Sequence, residues 1–183
     1  RLVAQYYDDK GYVENTWSSD DGPVEENSVL RATLVWEPTE DLTLTFKGEH
    51  GEFDVTGRQD MITKANPTAT SLYQAFGDPN FSADFNYKKS SADFPGNKQV
   101  DNTEANAFQV TADYDWGEHS IRSITAYNDY EFSNISDADY GPLQFIEGQR
   151  QEEHDQFSQE LLLTSPTGGT LGYLAGVYSQ RSN

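Results

Sequence analysis

Cysteine is absent from the 183 residues, which rules out a disulfide framework and any thiolate metal site. Apolar residues are scarce as well. They make up 35% of the chain, with a mean hydropathy of -0.78, too polar for a well-packed β-sandwich of this length. No apolar run approaches the roughly 18 residues of a membrane helix. No leader pattern stands in the opening Arg-Leu-Val-Ala-Gln-Tyr-Tyr, so an export signal is expected to have been removed or to lie outside these residues. Basic residues are few, 12 Lys plus Arg against 31 Asp plus Glu. The net charge of -19 argues against nucleic acid as a partner, because phosphate needs a basic face. Two readings of the acidic surplus stay open: a solvated, self-repelling surface, and divalent-cation binding in acidic loops.

Aromatic residues, by contrast, are plentiful. They form 13% of the chain, with 11 Tyr and 10 Phe, and disordered chains lack them. They sit in runs that alternate with period two, the signature of half-exposed strands. In NAFQVTADYDW, residues Phe108, Val110, Ala112, Tyr114 and Trp116 fall on one face, and Gln109, Thr111, Asp113 and Asp115 on the other. LRATLVWE, LTLTFKGE and FSQELLLT repeat the pattern. The alternation predicts seven strands, at about 1–15, 28–37, 42–52, 105–116, 119–131, 154–164 and 171–181. Arg31, Lys47, Glu49, Gln109, Arg122 and Glu160 are assigned to the polar face. Leu34, Leu44, Phe108 and Val110 are assigned to the apolar one.

The connections alternate strictly between short and long. PTED, GE and SPTGGT are short turns; the links at about 17–27, 53–104 and 132–153 are long. All seven prolines fall in the turns and loops that the alternation predicts, where a missing N–H harms no ladder. The pattern predicts an all-β fold: an antiparallel up-and-down meander, part of a transmembrane β-barrel of about seven strands, with three long external loops. Trp36 and Trp116 each adjoin a short turn, where an interfacial girdle belongs. In the long middle loop ATSLYQAFGD suggests a helix ending at Gly77. That loop also holds Phe81 and Phe94, and its aromatic-basic set of Tyr73, Phe76, Phe85, Tyr87, Lys88 and Lys89 has two readings. The rings pack the loop on itself, or some of them, with the two ammonium groups, meet an anionic or ring-bearing ligand.

No catalytic constellation stands out, so no enzyme activity and no cofactor are expected. His50, His119 and His154 fall on different strands without metal-ligand spacing. His50, Glu52 and Asp54 share one side of a strand, which reads as a solvated strand end. DADYG at 137–141 opens like a calcium loop but then places Pro142 and Gly148 where the motif needs Gly and Glu.

FSQELLLTSPTGGTLGYLAGVYSQ, with Gly176 central in its second strand, resembles the barrel strands of TonB-dependent outer-membrane receptors. GYVENT at 11–16, RATLVWEPTEDLTLTFKGE at 31–49 and HSIRSITAYNDYEF at 119–132 are similar to other strands of that family. The likeness spans nearly all of residues 1–183. It implies one segment of a receptor barrel in the bacterial outer membrane, taking up a nutrient such as a ferric siderophore, haem, cobalamin or carbohydrate. Its expected partners are outer-membrane lipid and a small-molecule or metal-chelate ligand. The family's plug and its TonB-binding box have no counterpart here, so TonB is expected to act only through parts outside this sequence. The family's barrel has about 22 strands, and the segment is expected to be the first third after the plug. In that frame Arg31, Lys47, Glu49, Gln109, Arg122 and Glu160 are lumen-facing. The alternative is an acidic β-rich module for binding or self-assembly through open strand edges.

Overall fold

Period-two patterning is realised as a seven-stranded antiparallel sheet. The computed structural model describes residues 1–93, 98–166, 168 and 170–183. In chain order the strands are β1 (Leu2–Asp9), β2 (Val13–Asn15), β3 (Asp21–Gly22), β4 (Val24–Thr39), β5 (Leu42–Thr56), β6 (Lys88–Lys89), β7 (Val100–Trp116), β8 (His119–Asp137), β9 (Glu147–Thr164) and β10 (Leu174–Ser182). One helix, α1 (Pro67–Phe76), lies between β5 and β6. The large sheet runs β1-β4-β5-β7-β8-β9-β10, each strand antiparallel to the next. It is an up-and-down meander and does not close, leaving β1 and β10 as edges. A small second sheet, β3-β2-β6, is formed by the long connections.

The expected strand at 1–15 breaks in two. Gly11, at φ +82°, turns the chain, so that only Leu2–Asp9 joins the large sheet while Val13–Asn15 crosses into the small one. The other strands are mostly longer than the alternation predicts, and the excess lies at the end away from the short turns. Residues such as Glu25, Asp54, Asp101, Asn134 and Gln149 are polar on both faces there, so no periodicity marks them. The second and third long connections shrink accordingly to 57–99 and 138–146, whereas the first lengthens to 10–23 because β1 ends at Asp9. Phe94 and two residues of the turn at 166–169, Thr167 and Gly169, lie outside the described residues.

Directly opposed residues in antiparallel strands share a face, so the register sorts every side chain. On one face Leu34, Phe46, Val110 and Thr125 stand in a row, with Trp36, Leu44, Ala112, Ser123 and Leu161 in the next. Trp116 and Tyr114 bound this apolar field at the short-turn end. Phe108, Tyr127 and Phe157, mutually opposed, bound it on the other side. Farther along the same face the chemistry inverts. Glu52, Glu104, Glu131 and Glu153 stand directly opposite one another across four adjacent strands.

The sheet has no apolar core of its own. Leu34 is 62% exposed, Trp36 55% and Phe108 52%, and no helix or second sheet covers either face among the described residues. The buried hydrophobic residues are Val13, Phe81, Ala92 and Leu143, all in the long connections. Those connections fold together into a cap at one end of the sheet.

Candidate functional site

The cap is assembled from local turn chemistry and close backbone approach. Asn66 caps α1, its side-chain oxygen accepting from Ala69 N–H at 2.8 Å, and Pro67 opens the first turn. The helix stops at Gly77, whose N–H donates to the Tyr73 carbonyl. A Cβ at Gly141 would meet the Tyr73 ring at 2.6 Å, and one at Gly77 would run into Pro142. Only glycine at these two places lets α1 lie against the third connection. Tyr73 then packs on Phe81, ring centroids 4.7 Å apart.

Polar side chains fill the rest of the cap, and most are paired, as burial requires, although the buried Oδ1 of Asp139 has no hydrogen-bond partner among the described residues. Asn15 donates from Nδ2 to the Ser91 carbonyl at 2.9 Å and accepts from Ser91 N–H. Asp78 accepts from the Thr16 and Ser90 hydroxyls. Asp137 accepts from the Ser91 hydroxyl at 2.8 Å and from the Asp139 and Tyr140 N–H groups. Burial pushes the Asp137 carboxyl above the ordinary aspartate range, with the Ser91 bond working against the shift. Lys89 is buried and donates to the Arg58 carbonyl; desolvation lowers its pKa. Arg58 in turn grips Asp101 at the start of β7. This chain of contacts fastens the cap to the sheet.

The six aromatic and basic residues singled out in the middle loop do not converge. Tyr73 belongs to the packing of the cap, and Phe76 stands alone and exposed. Lys88 pairs with Glu14 at 2.8 Å, and that bond raises its pKa. Lys89 takes the structural post just described. Only Phe85 and Tyr87 meet, centroids 5.1 Å apart, with Tyr87 at φ +60°. They are joined by Tyr12, 6.2 Å from Tyr87, which the sequence reading had placed inside a strand. The signal available for Tyr12 was the glycine before it.

The polar face of the sheet is the better-formed site. Arg31, Lys47, Glu49, Gln109, Arg122 and Glu160 all fall on it by register. Arg31 pairs with its cross-strand neighbour Glu49 at 2.5 Å, and Arg122 with Asp113 at 2.5 Å. A groove of about 610 Å³ lies between β4, β5, β7 and β8. Short residues, Ala107 and Ala126, form its floor; Arg1, Arg31, Lys47, Glu49, Gln109 and Asn128 are its long polar walls. Compared with family models, with curated proteins and with solved structures, the chain matches none.

Proposed function

We propose that residues 1–183 are part of the wall of an outer-membrane β-barrel receptor for uptake of a scarce nutrient, of the TonB-dependent kind their sequence resembles. The role is transport and binding rather than catalysis. One observation carries the reading: the apolar side of the sheet is uncovered and banded. A soluble single-layer sheet would have to bury such a field against a second layer. From Trp116 to Phe108 the field spans about 26 Å of strand at ~3.3 Å per residue, or about 20 Å of height at a ~40° tilt, close to the ~25 Å band of outer-membrane barrels. Aromatic residues bound it on both sides, as interfacial girdles do. In this reading the polar face lines the lumen, the cap belongs to the external loops, and β1 and β10 pair with further wall strands. The ligand belongs to the family's range of ferric siderophores, haem, cobalamin or carbohydrate.

Fluorescence of single-tryptophan variants tests it. In vesicles containing brominated lipid, Trp36 and Trp116 are expected to be quenched by the lipid, and Trp17, in the cap, by aqueous acrylamide only. Equal acrylamide access at all three would overturn the membrane reading. A chain that folds cooperatively without detergent and ignores the vesicles would favour an acidic module that self-assembles through its sheet edges.

A further inference from the structure

We infer that the groove on the polar face binds a small, multiply charged oxyanion. The protein carries a net charge of -19, yet this groove gathers three cations, Arg1, Arg31 and Lys47, against one carboxylate, Glu49. Glu49 is engaged through the Arg31 Nε, and the outer guanidinium nitrogens have no other partner among the described residues. Neither the Lys47 ammonium nor the Arg1 guanidinium has a hydrogen-bond or ion-pair partner among the described residues. Two other arginines of the sheet differ: Arg122 is paired with Asp113 and Arg150 with Glu152.

Register explains why these groups can act on one ligand. Arg31 lies opposite Glu49, and Lys47 lies opposite Thr33, so Arg31 and Lys47 are diagonal neighbours on adjacent strands. Such pairs stand about 7–8 Å apart at their Cα atoms, within reach of a shared ligand for side chains of this length. Gln109 is directly opposite Lys47, and Asn128 is opposite Ala107. They add amide donors around a floor kept low by Ala107 and Ala126. The groove's volume suits a small organic molecule. The fork of Arg31 and the point charge of Lys47 suit carboxylate or phosphate oxygens. Repulsion from carboxylates elsewhere on the protein is screened beyond about 8 Å at physiological salt, so the local cations decide.

Binding itself is a property of the groove. Its role as a station on an uptake path rests on the lumen reading proposed above. The experiment is calorimetric titration of the folded full chain in detergent with tricarballylate and, separately, with pyrophosphate. The expected result is saturable binding of at least one probe, weakened about tenfold by Lys47→Gln and further weakened by raising salt to about 0.5 M. The double variant Arg31→Gln/Glu49→Gln removes one cation without orphaning its partner and is expected to weaken binding too. Lys64→Gln, in the middle connection away from the groove, is expected to bind as the parent does. The relative response to the two probes tells carboxylate from phosphate preference. Absence of saturable binding by both, or affinity unchanged in Lys47→Gln and in the double variant, overturns the inference. Circular dichroism of each variant separates lost binding from lost sheet. Because the readout does not involve lipid, failure here leaves the quenching test of the membrane wall intact, and the reverse also holds.

Discussion

The sheet and its cap solve the burial problem in opposite ways. The cap behaves like a small soluble domain: Val13, Phe81, Ala92 and Leu143 are buried, and the polar groups among them are paired. The sheet has ample hydrogen bonding but turns its large apolar side chains outward. Backbone pairing alone cannot justify that arrangement in water, because the hydrophobic term is the main favourable contribution to folding. The contrast teaches that the two regions meet the burial requirement by different means. The cap draws its stability from contacts it already has, whereas the sheet needs an apolar medium or another layer to gain the same.

The sharpest way to break this contrast is to place one charge on either side of a single strand. Val110 sits mid-field on the apolar face and Thr111 on the polar one. In a barrel, arginine on the lipid face near the midplane costs about 2–4 kcal/mol, whereas a lumen position tolerates it. Val110→Arg is therefore expected to reduce membrane-assembled protein strongly, and Thr111→Arg only weakly, as read by heat-modifiable gel mobility. Equal losses would place both residues in the same surroundings and remove the distinction between the faces.

A second test acts on the cap alone. Gly141→Val puts two methyl groups and a Cβ where the Tyr73 ring lies. Overpacking of this kind costs about 1–3 kcal/mol. Amide exchange should accelerate in α1 and in residues 138–146 while β4, β5, β7 and β8 keep their protection. Uniform acceleration would show that cap and sheet unfold as one unit.

These two tests also mark what was legible in the sequence. The strand order and the faces were, because alternation of period two survives wherever one face is apolar: Leu34, Leu44, Phe108 and Val110 fall together, and so do Arg31, Lys47 and Gln109. The helix was legible as well, and its Asn66-Pro67 start carries the cap and first-turn signals that mark a helix N-terminus. The loop-end halves of the strands were not, since Glu25 and Asp54 carry no periodicity when both faces are polar. Nor was the network of the cap. Asn15 and Ser91 are 76 residues apart, and nothing local to either residue announces the pairing. The groove was half legible: Arg31 and Lys47 and their common face could be read, but not Arg1's place beside them nor the free state of Lys47 beside the paired state of Arg31.

Acidity sharpens the comparison further, because charge is buried in the cap and where β8 meets it, at Asp137, while the carboxylates and basic groups along the rest of the sheet are more exposed. The folded state holds a proton on Asp137 more firmly than the unfolded state does. Its contribution to cap stability is therefore full below the ordinary aspartate range and is lost as pH rises through the raised folded value. Lys89, shifted downward, has the opposite sign: stability recovers as pH climbs from its folded value toward the ordinary lysine range. Asp137→Asn keeps acceptors for the Asp139 and Tyr140 N–H groups, and Ser91 can turn its hydroxyl to accept from the new amide. That variant is expected to flatten the acid-side dependence of cap exchange without moving the sheet. An unaltered profile would assign the titration to a group other than Asp137.

The smallest expected effect lies on the sheet, where the apolar field gives way to the row Glu52, Glu104, Glu131 and Glu153. Like charges directly opposite in antiparallel strands are destabilising, by roughly 0.2–1 kcal/mol per pair. Among the described residues, only His50 stands near enough to offset them when protonated, 3.4 Å from Glu52 and 4.0 Å from Glu104. Glu104 has a glutamate on either side, so Glu104→Gln relieves two repulsive pairs while leaving the register unchanged. The variant should therefore be slightly more stable in detergent, and the gain should shrink as salt is raised, because these carboxylates are exposed and screened. The cap gives the matching contrast: Asp78→Asn removes a carboxylate that accepts from Thr16, Ser90 and Asn80 and is expected to destabilise. If Glu104→Gln also destabilised, the glutamate row would be holding a positively charged partner together rather than repelling itself, and the sheet's loop end would share the cap's logic after all.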